Sequence, residues 1–478
     1  MQMPAKIGTV HIVGIGGIGM SAIAEILHAK GYTAQGSDQK ESANVKRLRG
    51  KGMRVFVGHD PVNLVGAKYV VVSTAVKPGN VELEAARAKG LPIIGRAEML
   101  AELMRLYATV AVTGTHGKTT TTSLIAHLFR AAGRDPTVIT GGIINDWGSN
   151  ARLGDGEWMI VEADESDGTF IKIPTQIGIV TNIDPEHLDY FKTVDNMHRQ
   201  FATFLRNVPF YGLAVACIDQ PLVRDMLERL ELRRNGRRLL TYGTTRDADL
   251  VLSSARVDGA ATIFDAELGA RVAGGARSLK GWRVPIPGAH NALNALAAIA
   301  AASEAGIADT TIRAAMATFQ GVKRRFQNTG SWNGIAIYDD YGHHPVEIAA
   351  VLKAARAGAG GRVIAIVEPH RFTRVRDLFA EFASCFTDAD SVILTPLYSA
   401  GELPIDGVDH QALAAAVRSS GHRSVATVSN EWELASAIKA VAAPGDMVVC
   451  LGAGNSTEWA HALPDWLASE PIRAGGVA

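Results

Sequence analysis

Along this chain, short runs of apolar residues alternate with longer stretches whose apolar positions recur at helical spacing. Thr9–Val13, Tyr69–Ser73, Thr109–Val112, Trp158–Val161 and Ile177–Thr181 are short and bounded by glycine or polar clusters, which predicts strands. Their near-continuous apolar character predicts burial on both faces, as in parallel sheets joined by helical crossovers. Helices are predicted over Met20–Lys30, from about Arg96 to Tyr107, and over Ala292–Ala302. A last group of strands, at Ile335–Tyr338, Val363–Val367, Ser391–Thr395, Ser424–Val428 and Met447–Leu451, again alternates with helical patterns. Residues 218–286 carry dispersed glycines and short strand-like runs, and no chemistry is legible there.

With 478 residues and ~150 residues per domain, the pattern divides into three segments, 1–107, 108–322 and 323–478. The expected fold class is α/β: three consecutive domains with mainly parallel, doubly wound (Rossmann-like) sheets. Ligands should then sit at the carboxyl ends of strands.

Composition narrows the partners. Apolar residues make up 47% and charged residues 20%, the balance of an ordered globular chain. Lys plus Arg equals Asp plus Glu at 48 each, so no overall field draws nucleic acid or an anionic membrane. Any anion must be held by local clusters and backbone N–H groups. Cys217, Cys385 and Cys450 are widely spaced without a CxxC, which argues against a disulfide framework or structural zinc. The apolar stretch Val10–Ile18 is broken by Gly14, Gly16 and Gly17, and no stretch reaches the ~20 apolar residues of a membrane span. The expected compartment is the cytoplasm.

Two glycine-rich turns follow predicted strands. In Gly14-Ile15-Gly16-Gly17-Ile18-Gly19, glycines let the backbone approach a phosphate at a helix N-terminus. Asp38 lies where a ribose-binding acid would lie in a dinucleotide fold, yet any diphosphate nucleotide suits this geometry, and so does a tight turn that binds nothing. The second turn, Thr113-Gly114-Thr115-His116-Gly117-Lys118-Thr119-Thr120, is more specific and makes the expected central domain a P-loop-type ATPase domain. Lys118 would reach β- and γ-phosphates and the Thr119 hydroxyl would ligate Mg²⁺, although two residues rather than four separate the glycines.

Beyond the next strand, Glu162-Ala163-Asp164-Glu165-Ser166-Asp167 crowds four carboxylates together. Taken alone it is a solvated acidic turn; beside a phosphate loop, Glu162 becomes a candidate Mg²⁺ ligand. His187 ends the following strand, where a second divalent ion between it and Glu162 is conceivable. In Pro287-Gly288-Ala289-His290-Asn291-Ala292-Leu293-Asn294, spacing leaves helix capping and adenine recognition equal. Tyr338-Asp339-Asp340-Tyr341-Gly342-His343-His344-Pro345 and Glu368-Pro369-His370-Arg371-Phe372-Thr373-Arg374 load two later strand ends with groups suited to a small zwitterion, arginines gripping its carboxylate.

In this order, the glycine loop, TGTHGKTTTT, EADESD, NIDPEHLD, PGAHNALN, KRRFQ, YDDYGHHP and PHRFTR resemble the Mur ligases, and their alanine-adding branch in particular. The lysine that other members place beyond the histidine is missing, where this chain reads Met197-His198-Arg199-Gln200-Phe201-Ala202. The resemblance implies that Gly14, Gly16, Gly17 and Gly19 approach the diphosphate of UDP-N-acetylmuramic acid, in a crevice lined by Ser37, Asp38, His59, Ser73 and Thr74. ATP would lie on Gly114, Thr115, His116, Gly117, Lys118, Thr119 and Thr120, with Thr119, Glu162 and His187 at the metal. His290, Asn291 and Asn294 would meet adenine, and Arg325 and Asp340 would come to ATP on domain closure. His343, Arg371 and Arg374 would contact L-alanine.

The activity so implied is ATP- and Mg²⁺-dependent amide formation between the lactyl carboxylate and L-alanine through an acyl phosphate, in peptidoglycan precursor synthesis. Lys118, Glu162, His187 and His343 would be the catalytic residues, His343 taking a proton. The expected assembly is a monomer or weak homodimer. An NAD-dependent oxidoreductase would use the first glycine loop and Asp38 but leave TGTHGKTTTT without a role. A nucleotide-sensing module would leave EADESD and the paired arginines idle.

Overall fold

Parallel strands with polar exits recur three times along the chain. A computed structural model describes residues 7–73, 75–166 and 168–469, so the predicted site residue Thr74 lies outside the described residues. The chain divides into two units: Met1–Ser253 with Ala266–Leu279 and Leu293–Met316, and Ser254–Asp265 with Lys280–Ala292 and Ala317–Ala478.

In the first unit, β1 (Thr9–Val13), β2 (Ala34–Asp38), β3 (Arg54–Val57), β4 (Ala67–Val72) and β5 (Ile93–Gly95) form a parallel sheet in the order β3-β2-β1-β4-β5. Strand order reverses between β1 and β4, so their carboxyl ends flank a crevice. The same unit holds β6 (Ala108–Thr113), β7 (Thr137–Ile144), β8 (Ser149–Arg152), β9 (Trp158–Glu162), β10 (Ile177–Val180), β11 (Leu213–Cys217) and β12 (Leu239–Gly243). Their order is β12-β11-β10-β6-β9-β7-β8, parallel except for the β7–β8 pair. Val110, Ala111, Val112, Ile160, Val161, Ile179 and Val180 are fully buried, the two-sided burial predicted from their apolar runs. One apolar core runs from Ile12, Ile23 and Leu27 to Val161, Phe201 and Phe204.

The stretch that gave no clear pattern holds the helix Pro221–Leu230, β12, β13 (Leu250–Asp258), β14 (Ala261–Leu268) and β15 (Arg277–Val284). In the second unit, β16 (Gln327–Trp332), β17 (Ile335–Asp340), β18 (Val363–Val367), β19 (Ser391–Leu394), β20 (Val425–Thr427) and β21 (Met447–Leu451) are ordered β16-β17-β21-β18-β19-β20. Only β16 is antiparallel among them, and its sequence QNTGSW carries no apolar signal. Along β18, Val363, Ala365 and Val367 enter one core while Ile364 and Ile366 enter the core on the other face, the period-2 alternation of a strand. No helix among the described residues is long and apolar enough to cross a membrane.

Gly36 shows how tightly β2 is seated: a Cβ there would lie 2.3 Å from the Ile12 carbonyl oxygen and 2.7 Å from Ile15 Cδ1. Gly36→Ala is expected to destabilise the protein by about 1–3 kcal/mol through overpacking. Gly50→Ala, with nothing within 4 Å of its Cβ, should shift stability by no more than about 0.5 kcal/mol. Chemical denaturation of the two variants checks the contrast.

Candidate active site

The turn after β6 is bound to the strand end beside it. Gly114 has φ +131°, and a Cβ would sit 2.1 Å from Thr181 Oγ1; Gly117 has φ +80° with Asn294 Oδ1 2.7 Å from its would-be Cβ. Only glycine meets both demands. The exit of β10 then braces the turn. Asn182 Oδ1 accepts from the His116 N–H at 2.7 Å, and its Nδ2 donates to the His116 carbonyl at 2.9 Å. Thr181 Oγ1 donates to the same carbonyl at 2.6 Å. The Asp184 N–H donates to Thr115 Oγ1 at 2.9 Å, and Asp184 Oδ2 lies 3.1 Å from His116 Nε2.

The helix Lys118–Ala131 starts at this turn. Lys118 Nζ donates to Glu165 Oε1 at 2.8 Å and to the Gly114 and Thr115 carbonyls. Burial opposes its charge, but Glu165, Glu162 and Asp164 outweigh burial and hold the ammonium above the ordinary lysine range. In Glu165 burial prevails instead, and its carboxyl is pushed up to about 7 against the pull of Lys118. Thr119 Oγ1 donates to Glu162 Oε1 at 3.0 Å, while Glu162 Oε2 accepts from Thr140 Oγ1 at 2.8 Å and from the Gly141 N–H at 2.6 Å. His187, at φ +55°, lies 3.9 Å from Glu165 Oε1 through Nε2. The acid beside His187 is thus Glu165, to which the sequence reading had given no role.

These groups suit a hard divalent cation. Glu165 Oε2 is buried without a hydrogen-bond partner, and the Thr119 hydroxyl and Glu162 carboxylate offer oxygen donors side by side. Among the described residues no set of three or more His, Cys, Asp or Glu closes around a metal position. Mg²⁺ typically takes one or two protein oxygens and completes its shell with phosphate and water.

The first sheet places Gly14, Gly17, Asp38, His59 and Ser73 around a cleft of about 560 Å³. The turn's own amides serve the fold: those of Gly14 and Ile15 donate to the Ser37 carbonyl, that of Gly17 to Gly14, and that of Gly16 to Asp38 Oδ2 at 2.9 Å. A phosphate would therefore be met by the next amides, in the first turn of the helix Ile18–Ala29. Gly19 lies farther along, with Arg96 3.1 Å from its would-be Cβ.

In the second unit, Asp340 is buried; its carboxylate accepts from the Phe326 and Gly342 N–H groups at 2.7 Å, and burial pushes it up to about 6. Arg325 and Arg324 stack over Tyr341, at 5.2 and 4.8 Å from its centroid. His343 Nδ1 is 2.8 Å from the Tyr341 carbonyl; a carbonyl only accepts, so in neutral His343 Nε2 carries the lone pair. Arg374 donates to His370 Nδ1 at 3.3 Å, and His370 stacks on Tyr398. Burial and the neighbouring His343, Arg374 and Arg371 push His370 down to about 3. Arg371 Nε donates to Glu402 at 2.8 Å. The Asn291 amide donates to the Pro287 carbonyl at 2.8 Å and contacts His290 Nε2 at 3.1 Å. Asn182, Glu165, His370 and Glu402 went unassigned from sequence. The first three stand inside recognised motifs, whereas Glu402 is 31 residues from Arg371 and had no local signal.

Three family models match in succession: "Mur ligase family, catalytic domain" over residues 9–108, "Mur ligase middle domain" over 112–302, and "Mur ligase, glutamate ligase domain" over 324–454. The UDP-N-acetylmuramate–L-alanine ligase of Brucella anthropi is 58% identical over 98% of this chain and 99% of its own. Among solved structures, the UDP-N-acetylmuramate–alanine ligase of Thermotoga maritima superposes with a TM-score of 0.74 at 27% identity, covering 96% of this chain and 98% of that one. A murein peptide ligase from Psychrobacter arcticus gives 0.64 at 25% identity, over 97% and 99%.

Asn182→Ala removes both amide contacts to His116, leaving its carbonyl with Thr181 Oγ1 and taking the Asn182 acceptor from its N–H. At roughly 1 kcal/mol per lost bond, with more for a buried orphan, ATP affinity should fall about 10- to 100-fold. Calorimetric titration with ATP measures it, and binding of the UDP-sugar serves as control.

Proposed function

Because the chain belongs to the Mur ligase family, we propose that it joins L-alanine to the lactyl carboxylate of UDP-N-acetylmuramic acid at the expense of ATP. Near-full-length identity of 58% to a ligase of that name supports the substrate pair. The observation that carries the chemistry is the pairing of Lys118 with Glu165 and of Thr119 with Glu162 at adjoining strand ends. Phosphoryl transfer needs a fixed cation, a hydroxyl and a carboxylate at one spot, and this arrangement supplies them.

A carboxylate does not accept an amine directly at neutral pH, because its oxygen is too poor a leaving group. In the proposed reaction the lactyl carboxylate attacks the γ-phosphate, ADP leaves, and an acyl phosphate forms. Alanine's neutral amine then adds to the acyl carbon and phosphate departs. Lys118 holds the transferring phosphoryl group at a preorganised positive charge. Thr119 and Glu162 are the residues that would hold Mg²⁺, which when bound neutralises charge on the phosphates. His187 Nε2 lies 3.9 Å from the same Glu165 oxygen that Lys118 binds. The neutral imidazole of His343 takes the amine's proton at Nε2, and Arg371 and Arg374 grip the alanine carboxylate. The first sheet takes the UDP-sugar, and His290, Asn291 and Asn294 flank adenine. ATP consumption and three buried free cysteines fit the cytoplasm.

The test is ADP release with UDP-N-acetylmuramate, ATP, Mg²⁺ and single amino acids. Alanine should support turnover. Glycine should be discriminated against by less than ~10⁴-fold, because one methyl group contributes only ~1–3 kcal/mol; turnover with no amino acid preference would contradict the reading. Lys118→Ala should lose at least about 10²-fold in kcat, as for removal of a preorganised donor, while UDP-sugar binding persists. Arg374→Ala should raise the KM for alanine and leave that for the UDP-sugar in place.

A further inference from the structure

Behind the first cleft lies a buried polar chain that the reaction scheme does not use. Glu82, in the first turn of the helix Val81–Ala88, is fully buried. Its Oε2 accepts the Ser37 hydroxyl and lies 3.2 Å from His11 Nε2 and 3.3 Å from His59 Nδ1. Its Oε1 accepts from Asn63 Nδ2 at 2.7 Å and from the Asp60 N–H at 3.2 Å. Burial disfavours the charge, but the hydrogen bonds from His11, Ser37 and Asn63 prevail and hold the carboxyl down at about 2. Every neighbour must therefore donate.

That requirement sets the protons around it. The single Ser37 hydroxyl proton points to Glu82, so Ser37 Oγ can only accept from His59 Nδ1, 3.0 Å away. His59 then carries its proton on Nδ1, and its Nε2 is a lone pair. His59 lines the cleft with Asp38 and Ser73.

We propose that Glu82 is a positioning residue: through Ser37 it fixes His59 in the Nδ1–H tautomer, so that Nε2 accepts a hydrogen bond from an N–H or O–H group of the uridine moiety. This rests on the reading of the first sheet as the UDP-sugar site. Glutamine at position 82 keeps the shape, but its carbonyl oxygen must face the Asp60 N–H, which can only donate, so its NH₂ group faces Ser37, the hydroxyl must turn and the tautomer preference is lost.

The wild-type chain gives the first test without any variant. A long-range ¹⁵N–¹H spectrum of histidine-labelled protein, with His59 assigned by loss of its signals in His59→Gln, should show the Nδ1–H tautomer; the Nε2–H tautomer overturns the proposal. The second test is calorimetric titration with UDP. Glu82→Gln and His59→Gln should each weaken UDP about three- to tenfold, the loss of one neutral hydrogen bond. The double variant should lose no more than His59→Gln alone, and ATP affinity should not move. Additive losses, or UDP binding by Glu82→Gln at wild-type affinity, refute the coupling while leaving the site assignment intact. A wild-type protein that fails to bind UDP would instead refute the site assignment itself.

Discussion

The central sheet depends on holding anions beside anions. Glu162 ends β9 and Asp164 and Glu165 follow it, beside the turn proposed to receive a triphosphate, and like charges so close repel strongly in a poorly hydrated site. Lys118 relieves that repulsion. Its ammonium, bound to Glu165 and to two carbonyls of its own turn, stays charged because the carboxylates outweigh burial. The Glu162 carboxylate is bound separately by Thr119, Thr140 and Gly141. The two acids thus have different partners, and a cation added at Thr119 and Glu162 need not compete with Lys118.

The diphosphate proposed for the first sheet is handled by other means. It has no lysine in its turn, and Asp38 brings a negative charge to the Gly16 amide. Attraction comes from the helix Ile18–Ala29, whose first-turn amides carry the positive end of the macrodipole, and from Lys77, which lines the same cleft. With overall charge near neutral, neither nucleotide is drawn in by a global field, so both sites rely on short-range geometry. That is why glycine spacing and strand ends, rather than basic patches, carried the functional signal.

What could be read from the sequence follows from the range of the physics. Strand interiors such as Val110–Val112 and Val363–Val367 were legible because two-sided burial demands continuous apolar residues. The phosphate turn was legible because Gly114, Gly117, Lys118 and Thr119 are neighbours in the chain. β16 was not, since its residues are polar and an antiparallel edge strand needs only a partner backbone. Residues 218–286 were opaque for a related reason: β13 carries a run of exposed residues, and β15 mixes exposed and buried positions without a clean alternation. Glu82 and Glu402 could not be found, because each acts on residues far along the chain, Ser37 and His59 for one and Arg371 for the other. Asp38 was noticed for its spacing, and the structure shows it serving the Gly16 amide.

The strained backbone points the same way. His187, Arg324, Phe326 and Arg371 all take positive φ, a conformation that costs a non-glycine residue of order 1–3 kcal/mol, and all four lie in motifs singled out for chemistry. Each is held by specific bonds. The Phe326 N–H is bound by Asp340, the Arg324 carbonyl by the Tyr341 N–H at 2.7 Å, and the Arg371 N–H by the Tyr398 carbonyl at 2.9 Å. His187 accepts from the amides of Tyr190 and Phe191. Asp340 illustrates the trade. Burial raises its pKa and so disfavours its charge, yet the carboxylate is what keeps Phe326 and Gly342 in place. A carboxylate used this way fixes the direction in which the chain leaves Arg324 and Arg325, and with it where those two guanidinium groups stack over Tyr341.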